Sequence, residues 1–270
     1  MSIRQFRPRG DRRRGLTSEQ SQLLYGVLTI ALFVQILYPL VHGETLRIVT
    51  LITVYSGAAA MLLHAFLAYG SRYALIFSTL TFSFALGIEQ IGSRTGWPFG
   101  HYTYDASLGA QIFGVPVIVP LAWIMLSHPI LIAARRVTVN WVFLFGGFGL
   151  MAWDLFLDPQ MVSANRWTWK LVGPHVPFQQ NVPLSNTAGW LFAGMGLMAL
   201  LNRILPKERR KRGAGFLAID IFLLWTWFAG IVSNLFFFHQ PGIALFAGIA
   251  FSLIIGPYFF ETRFGRPDDF

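Results

Sequence analysis

Three carboxyl side chains stand in stretches that are otherwise almost wholly apolar. Glu89 lies in Ala85-Leu86-Gly87-Ile88-Glu89-Gln90, and Asp154 and Asp158 lie in Trp153-Asp154-Leu155-Phe156-Leu157-Asp158-Pro159. The i, i+4 spacing of the two aspartates puts both carboxyls on one face of a helix. An ionised group at the centre of a membrane helix costs about 2.5–3.5 kcal/mol on insertion scales, which makes such residues functional candidates. Plainer roles exist beside that one: Asp158 can end its helix ahead of Pro159, and Glu89 can pair with Arg94. A carboxylic acid in an apolar site tends to keep its proton, whereas a better hydrogen-bonded neighbour can stay ionised. Two such groups together supply an acid and a base.

Around these acids the sequence is aromatic. Trp97, Tyr102, Tyr104, Trp153, Trp167 and Trp169 cluster near them in the chain, and aromatic residues make up 16% of the whole. Ring faces can hold a cationic intermediate, although tryptophan and tyrosine also form interfacial belts in membrane proteins. His101 and His175 lie in the same regions, in Gly100-His101-Tyr102-Thr103-Tyr104-Asp105 and Gly173-Pro174-His175. Acid, aromatic rings and no evident cofactor site fit proton-initiated chemistry on a lipid-soluble alkene.

The elements that must position these groups follow from composition. Of the 270 residues, 54% are hydrophobic and 12% charged, against about 25% charged in an ordinary soluble domain. This is the composition of an integral membrane protein. Windows of about 20 apolar residues place eight helices at roughly 21–41, 46–69, 71–92, 114–134, 139–158, 187–205, 215–238 and 241–260. His239-Gln240-Pro241-Gly242 divides the last two as a tight turn. The expected fold is all-α, a polytopic bundle of about eight transmembrane helices with two long outer loops. Residues 1–20 are expected to form a basic cytoplasmic tail, 21–260 one transmembrane domain, and 261–270 a second cytoplasmic tail.

The net charge of +9 is concentrated rather than spread. Arg4, Arg7, Arg9, Arg12, Arg13 and Arg14 precede the first span, and Arg203, Lys207, Arg209, Arg210, Lys211 and Arg212 surround the sixth connection. With Arg72, Arg135, Arg136, Arg263 and Arg266 they account for all but four of the 21 basic residues. Only Arg47, Arg94, Arg166 and Lys170 fall on the opposite side. The positive-inside rule then puts both termini in the cytoplasm, favours an even number of spans, and replaces a nucleic-acid reading of the charge. The expected location is a prokaryotic plasma (inner) membrane. The first apolar run is long enough to span and lacks the small-residue cleavage site of a signal peptide.

Two connections are long, Ser93 to Phe113 and Pro159 to Asn186, and both face outward. They are rich in Gly, Pro, His and aromatic residues, a composition that suits ordered caps. They also echo one another. Val115-Pro116 is followed by Trp123 and Val182-Pro183 by Trp190, seven positions after the proline in each case. Each loop follows a helix whose outer end bears acid, a pattern that reads as a duplicated helix–loop–helix hairpin.

Several chemistries have no residues to carry them. The absence of cysteine removes thiol nucleophiles, disulfides, iron–sulfur clusters and zinc–thiolate sites. Histidines at 42, 64, 101, 128, 175 and 239 are too scattered for a di-iron site, and no metal is expected. No G-x-G-x-x-G follows a strand and no G-x-S-x-G elbow appears. Gly146-Gly147-Phe148-Gly149 lies inside the fifth span, where small residues allow close helix packing. His64, His128 and Asp220 fall in the cytoplasmic halves of their spans and read as ties between helices.

The chain also resembles a known family. Glu89-Gln90-Ile91-Gly92 and Thr95-Gly96-Trp97-Pro98-Phe99-Gly100-His101-Tyr102-Thr103-Tyr104 are similar to the signature of the membrane carotenoid hydratases, which act on lycopene-type and bacterioruberin-type carotenoids. Leu108-Gly109, Gly114-Val115-Pro116, the run from Trp153 to Val162, and Trp167 extend the likeness, which covers about residues 20 to 260. The resemblance implies addition of water across the terminal double bond of an acyclic carotenoid ψ-end, giving a tertiary alcohol without a cofactor. Asp154, or its partner Glu89, is then expected to protonate the less substituted carbon, and Asp158 or His101 to orient the water. Acid and base are not separately assigned, because a coupled pair titrates jointly. Trp97, Tyr102, Tyr104 and Trp153 are expected to shelter the cation and, with Arg94 and Asp105, to bind substrate. The implied partners are the carotenoid, water, membrane lipid and other membrane enzymes of the same pathway.

Three other readings share features with this one. A small membrane carotenoid cyclase would use the same protonation and quench the cation internally. A membrane prenyltransferase is suggested by Asp154-x-x-x-Asp158 but would need a second acidic metal-binding motif. A transporter or non-catalytic scaffold would use the acids as a proton relay.

Overall fold

The computed structural model describes residues 15–207 and 215–265. The arginines before residue 15, the cluster at 209–212 and Arg266 lie outside the described residues. Eight helices long and apolar enough to cross a membrane are present among the described residues. They are α1 (Ser18–Leu37), α2 (Gly43–Tyr69), α3 (Ser71–Thr95), α4 (Ile118–Val137), α5 (Val142–Ser163), α6 (Leu184–Ile204), α7 (Leu217–Val232) and α8 (Pro241–Phe264). A 3₁₀ turn, Tyr38–Leu40, extends α1, and a π-helical turn, Ser233–Phe237, extends α7. The protein is a polytopic helical membrane bundle.

Local sequence explains the helix ends. Thr17 caps α1 in a reciprocal capping box with Gln20. Gly70 separates α2 from α3 at φ +93°, a conformation that side-chain-bearing residues rarely adopt. Pro241 opens α8 at the turn expected after His239.

Odd-numbered helices all run toward one face, so both long loops lie together there. The second and most buried layer is α4 and α5, whose spans are enclosed by the other helices. Close approach of α5 to α6 is set by glycine. A Cβ at Gly147 would stand 2.6 Å from the backbone nitrogen of Met195, and one at Gly194 would stand 3.1 Å from Cα of Gly147. The glycine run in the fifth span is therefore a packing surface. On the face away from the loops, His64 Nδ1 and His128 Nε2 lie 2.9 Å apart and tie α2 to α4. Tyr258 donates to Asp220 Oδ1 at 2.6 Å and ties α8 to α7.

The loops are joined to one another. β1 (Tyr102–Tyr104) from the first pairs antiparallel with β4 (Trp167–Trp169) from the second. The register sets Tyr102 against Trp169, Thr103 against Thr168 and Tyr104 against Trp167. Two further small pairs stay within single loops: β2 (Gln111–Ile112) with β3 (Val115–Pro116), and β5 (His175–Val176) with β6 (Gln179–Pro183). The first of these shifts an expected boundary. Val115 and Pro116 are committed to the hairpin, so α4 begins at Ile118 rather than at residue 114.

α5 likewise passes through Pro159 and ends at Ser163, a turn and more beyond the expected stop. Proline has no N–H to offer the carbonyl four residues earlier. That carbonyl belongs to Leu155, and the buried Gln179 side chain of β6 donates to it at 2.8 Å. The second loop thus supplies the hydrogen bond that the helix lacks.

Candidate active site

Glu89 is buried near the loop-face end of α3. Its Oε2 accepts from the hydroxyls of Tyr102 and Tyr104, each at 2.6 Å, and its Oε1 accepts from Trp123 Nε1 of α4 at 3.0 Å. Residues i and i+2 of a strand point to the same side, so the Tyr-x-Tyr of β1 delivers both phenols to one carboxyl. Burial first, and then the adjacent Glu89 carboxyl, push both tyrosines well above the usual phenol range. Both remain O–H donors.

The second acidic centre is built on α5. Asp154 and Asp158 are buried on one helix face, and the Asn186 amide in the first turn of α6 donates to both, to Asp154 Oδ2 at 2.9 Å and to Asp158 Oδ2. The two carboxyls lie within hydrogen-bonding reach of each other. Such a contact is attractive when one proton is held between them. Trp167 Nε1 of β4 donates to Asp158 Oδ1 at 3.2 Å, whereas Asp154 Oδ1 is buried with no donor on it.

Between the two centres lies a cavity of about 440 Å³. Glu89, Asp158, Asn186, Tyr102 and Tyr104 are among its polar lining. Tryptophans stand beside them. Trp123 and Trp190 stack with ring centroids 4.3 Å apart and planes 13° from parallel, and Trp153 meets Trp190 edge-on at 5.8 Å. The tryptophans that echo each other in sequence are thus in face-to-face contact, one from each hairpin. Among the described residues no cluster of three or more His, Asp or Glu side chains is arranged to hold a metal ion.

This acid-bearing, aromatic-walled bundle also has relatives. Residues 47–257 match the carotenoid biosynthesis protein family. The chain is 31% identical over 207 residues to a bisanhydrobacterioruberin hydratase from Haloarcula japonica, an alignment covering 72% of this chain and 67% of the relative. The chain belongs to the carotenoid biosynthesis protein family. No solved structure matches it.

The placement of the expected site residues in this family member is uneven. Glu89, Asp158, Tyr102, Tyr104 and Trp153 line the cavity. Asp154 touches Asp158 from behind and is not part of the cavity wall. Four others are not brought to the site. His101 is exposed, and its ring covers Gly96, where a Cβ would stand 2.8 Å from it. Trp97 is 65% exposed, and Arg94 is exposed rather than paired with Glu89. Asp105 is exposed and caps the short turn Ala106–Leu108 by accepting from Ser107 N at 2.8 Å. That hydrogen bonding holds its carboxyl below the usual range.

Two positioning groups have no role in the sequence reading. Asn186 bridges the aspartates from three residues beyond Pro183, and Gln179 completes α5 at Pro159. Trp123 and Trp190 were marked only by the repeated spacing from proline.

Proposed function

We propose that this protein is a carotenoid hydratase. It adds water across the terminal double bond of an acyclic carotenoid ψ-end and yields a tertiary alcohol, in a prokaryotic plasma membrane with both termini cytoplasmic. One observation carries the reading: two separate buried carboxyl centres open onto a single aromatic-walled apolar cavity. The relative's hydratase name and the distribution of Lys and Arg support the same view.

The two centres differ in what their neighbours offer, and this supports a division of labour. The Asp154–Asp158 pair holds one proton, and Asp158, which faces the cavity, passes it to the less substituted alkene carbon. The π electrons form the new C–H bond, and the tertiary carbon becomes cationic. Tryptophan and tyrosine faces stabilise that cation. Glu89, held as an acceptor by three donors, takes a proton from water as the water oxygen bonds to the cation. The proton gained by Glu89 equals the one lost by the aspartate pair, so its return resets the site and the net change is alkene plus water to alcohol. A carboxylate facing the cation also supports water capture over internal cyclisation, because it can orient a nucleophile.

Expression in a lycopene-accumulating bacterium grown in oxygen-labelled water tests the proposal. The expected product gains one water per reacted end, with label in a new tertiary hydroxyl. A product of unchanged mass with a ring would establish the cyclase instead. Unaltered pigment would leave the transporter or scaffold, and label from dioxygen would indicate a monooxygenase.

A further inference from the structure

The cavity is closed at one end and open at the other. Near the carboxyls its walls are buried, with Trp123 at 0% and Phe99 and Asn186 at 2% exposure. Its far end is lined by Ile36 and Leu40, from the end of α1 and its 3₁₀ turn, and by Phe228 and Phe237, from α7 and its π-helical turn. These four side chains are 44–57% exposed. Large apolar side chains exposed along membrane spans face hydrocarbon, so the opening leads sideways into the bilayer.

The two helices that frame the opening are among the least buried of the bundle. Across the gap Trp225 Nε1 donates to Gln35 Oε1 at 2.5 Å, and Tyr38 meets Phe238 edge-on at 6.1 Å. π-helical turns recur at functional sites, and this one forms one jamb of the opening. A volume of about 440 Å³ falls in the range that encloses a drug-sized ligand. A polyene long enough to cross the hydrocarbon, about 30 Å thick, exceeds what a closed pocket of that size can hold.

We infer that the gap between the α1 end and the π turn of α7 is a lateral portal. An acyclic polyene enters it end-first from the bilayer, its near terminus reaching the carboxyls while its far part remains in lipid. This inference rests on the hydratase reading for the identity of the occupant.

The chain has no cysteine, so a thiol staple can be placed cleanly. Tyr38→Cys/Phe238→Cys in the full chain, joined in vesicles by a short cleavable thiol–thiol linker before lycopene is added, pins the two sides of the portal where these rings already touch, so that they cannot part to admit a polyene. A control staple, Trp227→Cys/Ser252→Cys, joins α7 to α8 where Trp227 Nε1 and Ser252 Oγ are 2.9 Å apart. Pigment co-purifying with the protein and alcohol formed are both measured. The portal staple is expected to lower both at least 10-fold, with recovery to within twofold on cleavage, and the control staple to lower neither. Undiminished pigment uptake by the portal-stapled protein would overturn the portal, as would an equal loss with the control staple. Where the cysteine pair fails to fold, Ala229→Trp plugs the same opening from α7, and unaltered pigment uptake by it would also overturn the portal. Wild-type protein that binds pigment through the portal yet forms no alcohol would sink the hydratase reading while leaving the portal standing.

Discussion

Tyr104 and Trp167 face each other across the β1–β4 register, and each ends on a different buried carboxyl. Tyr104 donates to Glu89 at 2.6 Å and Trp167 to Asp158 at 3.2 Å, with their rings edge-on at 6.0 Å. One cross-strand pair therefore spaces the two acidic centres and couples the loops to both. Removing either donor leaves a buried acceptor short of a partner, a loss of about 1–3 kcal/mol. Tyr104→Phe and Trp167→Phe are each expected to lower thermal stability in detergent by that order. Each should also slow alcohol formation about 10-fold or more in the pigment assay. Unchanged rates in both variants would remove the loops from the chemistry.

The aspartates are adjacent but not equivalent. Asp158 lines the cavity and Asp154 stands behind it. Loss of a general acid or base typically costs about 100- to 10,000-fold. Asp158→Asn and Glu89→Gln should fall in that range, measured as alcohol per unit of folded protein. Asp154→Asn keeps the carboxyl that faces substrate and is expected to retain more activity than either. A reversed order, with Asp154→Asn the most damaging, would assign proton delivery to Asp154.

Exposed residues near the site should be dispensable. His101→Ala, Arg94→Ala and Asp105→Asn alter side chains that lie outside the cavity. All three variants are expected to form alcohol within about twofold of wild type. A large loss in His101→Ala that left the fold intact would restore histidine to a role in orienting water.

What could be read beforehand followed from periodicity and hydrophobicity. Eight spans, the shared helix face of Asp154 and Asp158 and the placement of both long loops at one end of the bundle are local consequences of sequence. The Val-Pro spacing even anticipated the tryptophans that meet between hairpins. Long-range pairing was not legible. Nothing in the order of residues says that Tyr102 stands opposite Trp169, or that Gln179 satisfies the carbonyl freed by Pro159. His101 and Asp105 border the strand that carries Tyr102 and Tyr104. Neighbours on a strand alternate in direction, so these two are carried outward, whereas Arg94 lies in the last turn of α3 and Trp97 in the turn that follows, both exposed.

The helix pair that carries the aspartates depends on glycine. At Gly147 an added Cβ meets the backbone of Met195, which cannot turn aside as a flexible side chain would. Overpacking of this kind costs typically about 1–3 kcal/mol, and Gly147→Ala is expected to sit at the upper end. Gly87→Ala, in α3 with nothing within 4 Å of the new Cβ, should be neutral or stabilising by about 0.5–1 kcal/mol. Melting of the two purified variants in detergent gives the comparison. Equal midpoints would mean that α5 and α6 separate without cost.

A cavity that is blind beyond the carboxyls admits one terminus at a time. A symmetric polyene with two reactive ends must then leave and re-enter in the opposite sense before its second end meets Asp158. The singly hydrated pigment is therefore expected as a free intermediate. It should rise first, peak before the substrate is consumed, and then decline as the doubly hydrated product grows. Unlabelled singly hydrated pigment added during turnover of labelled substrate should dilute the label in the final product. Product of undiminished label would mean that both ends react without release, which a single blind cavity does not permit.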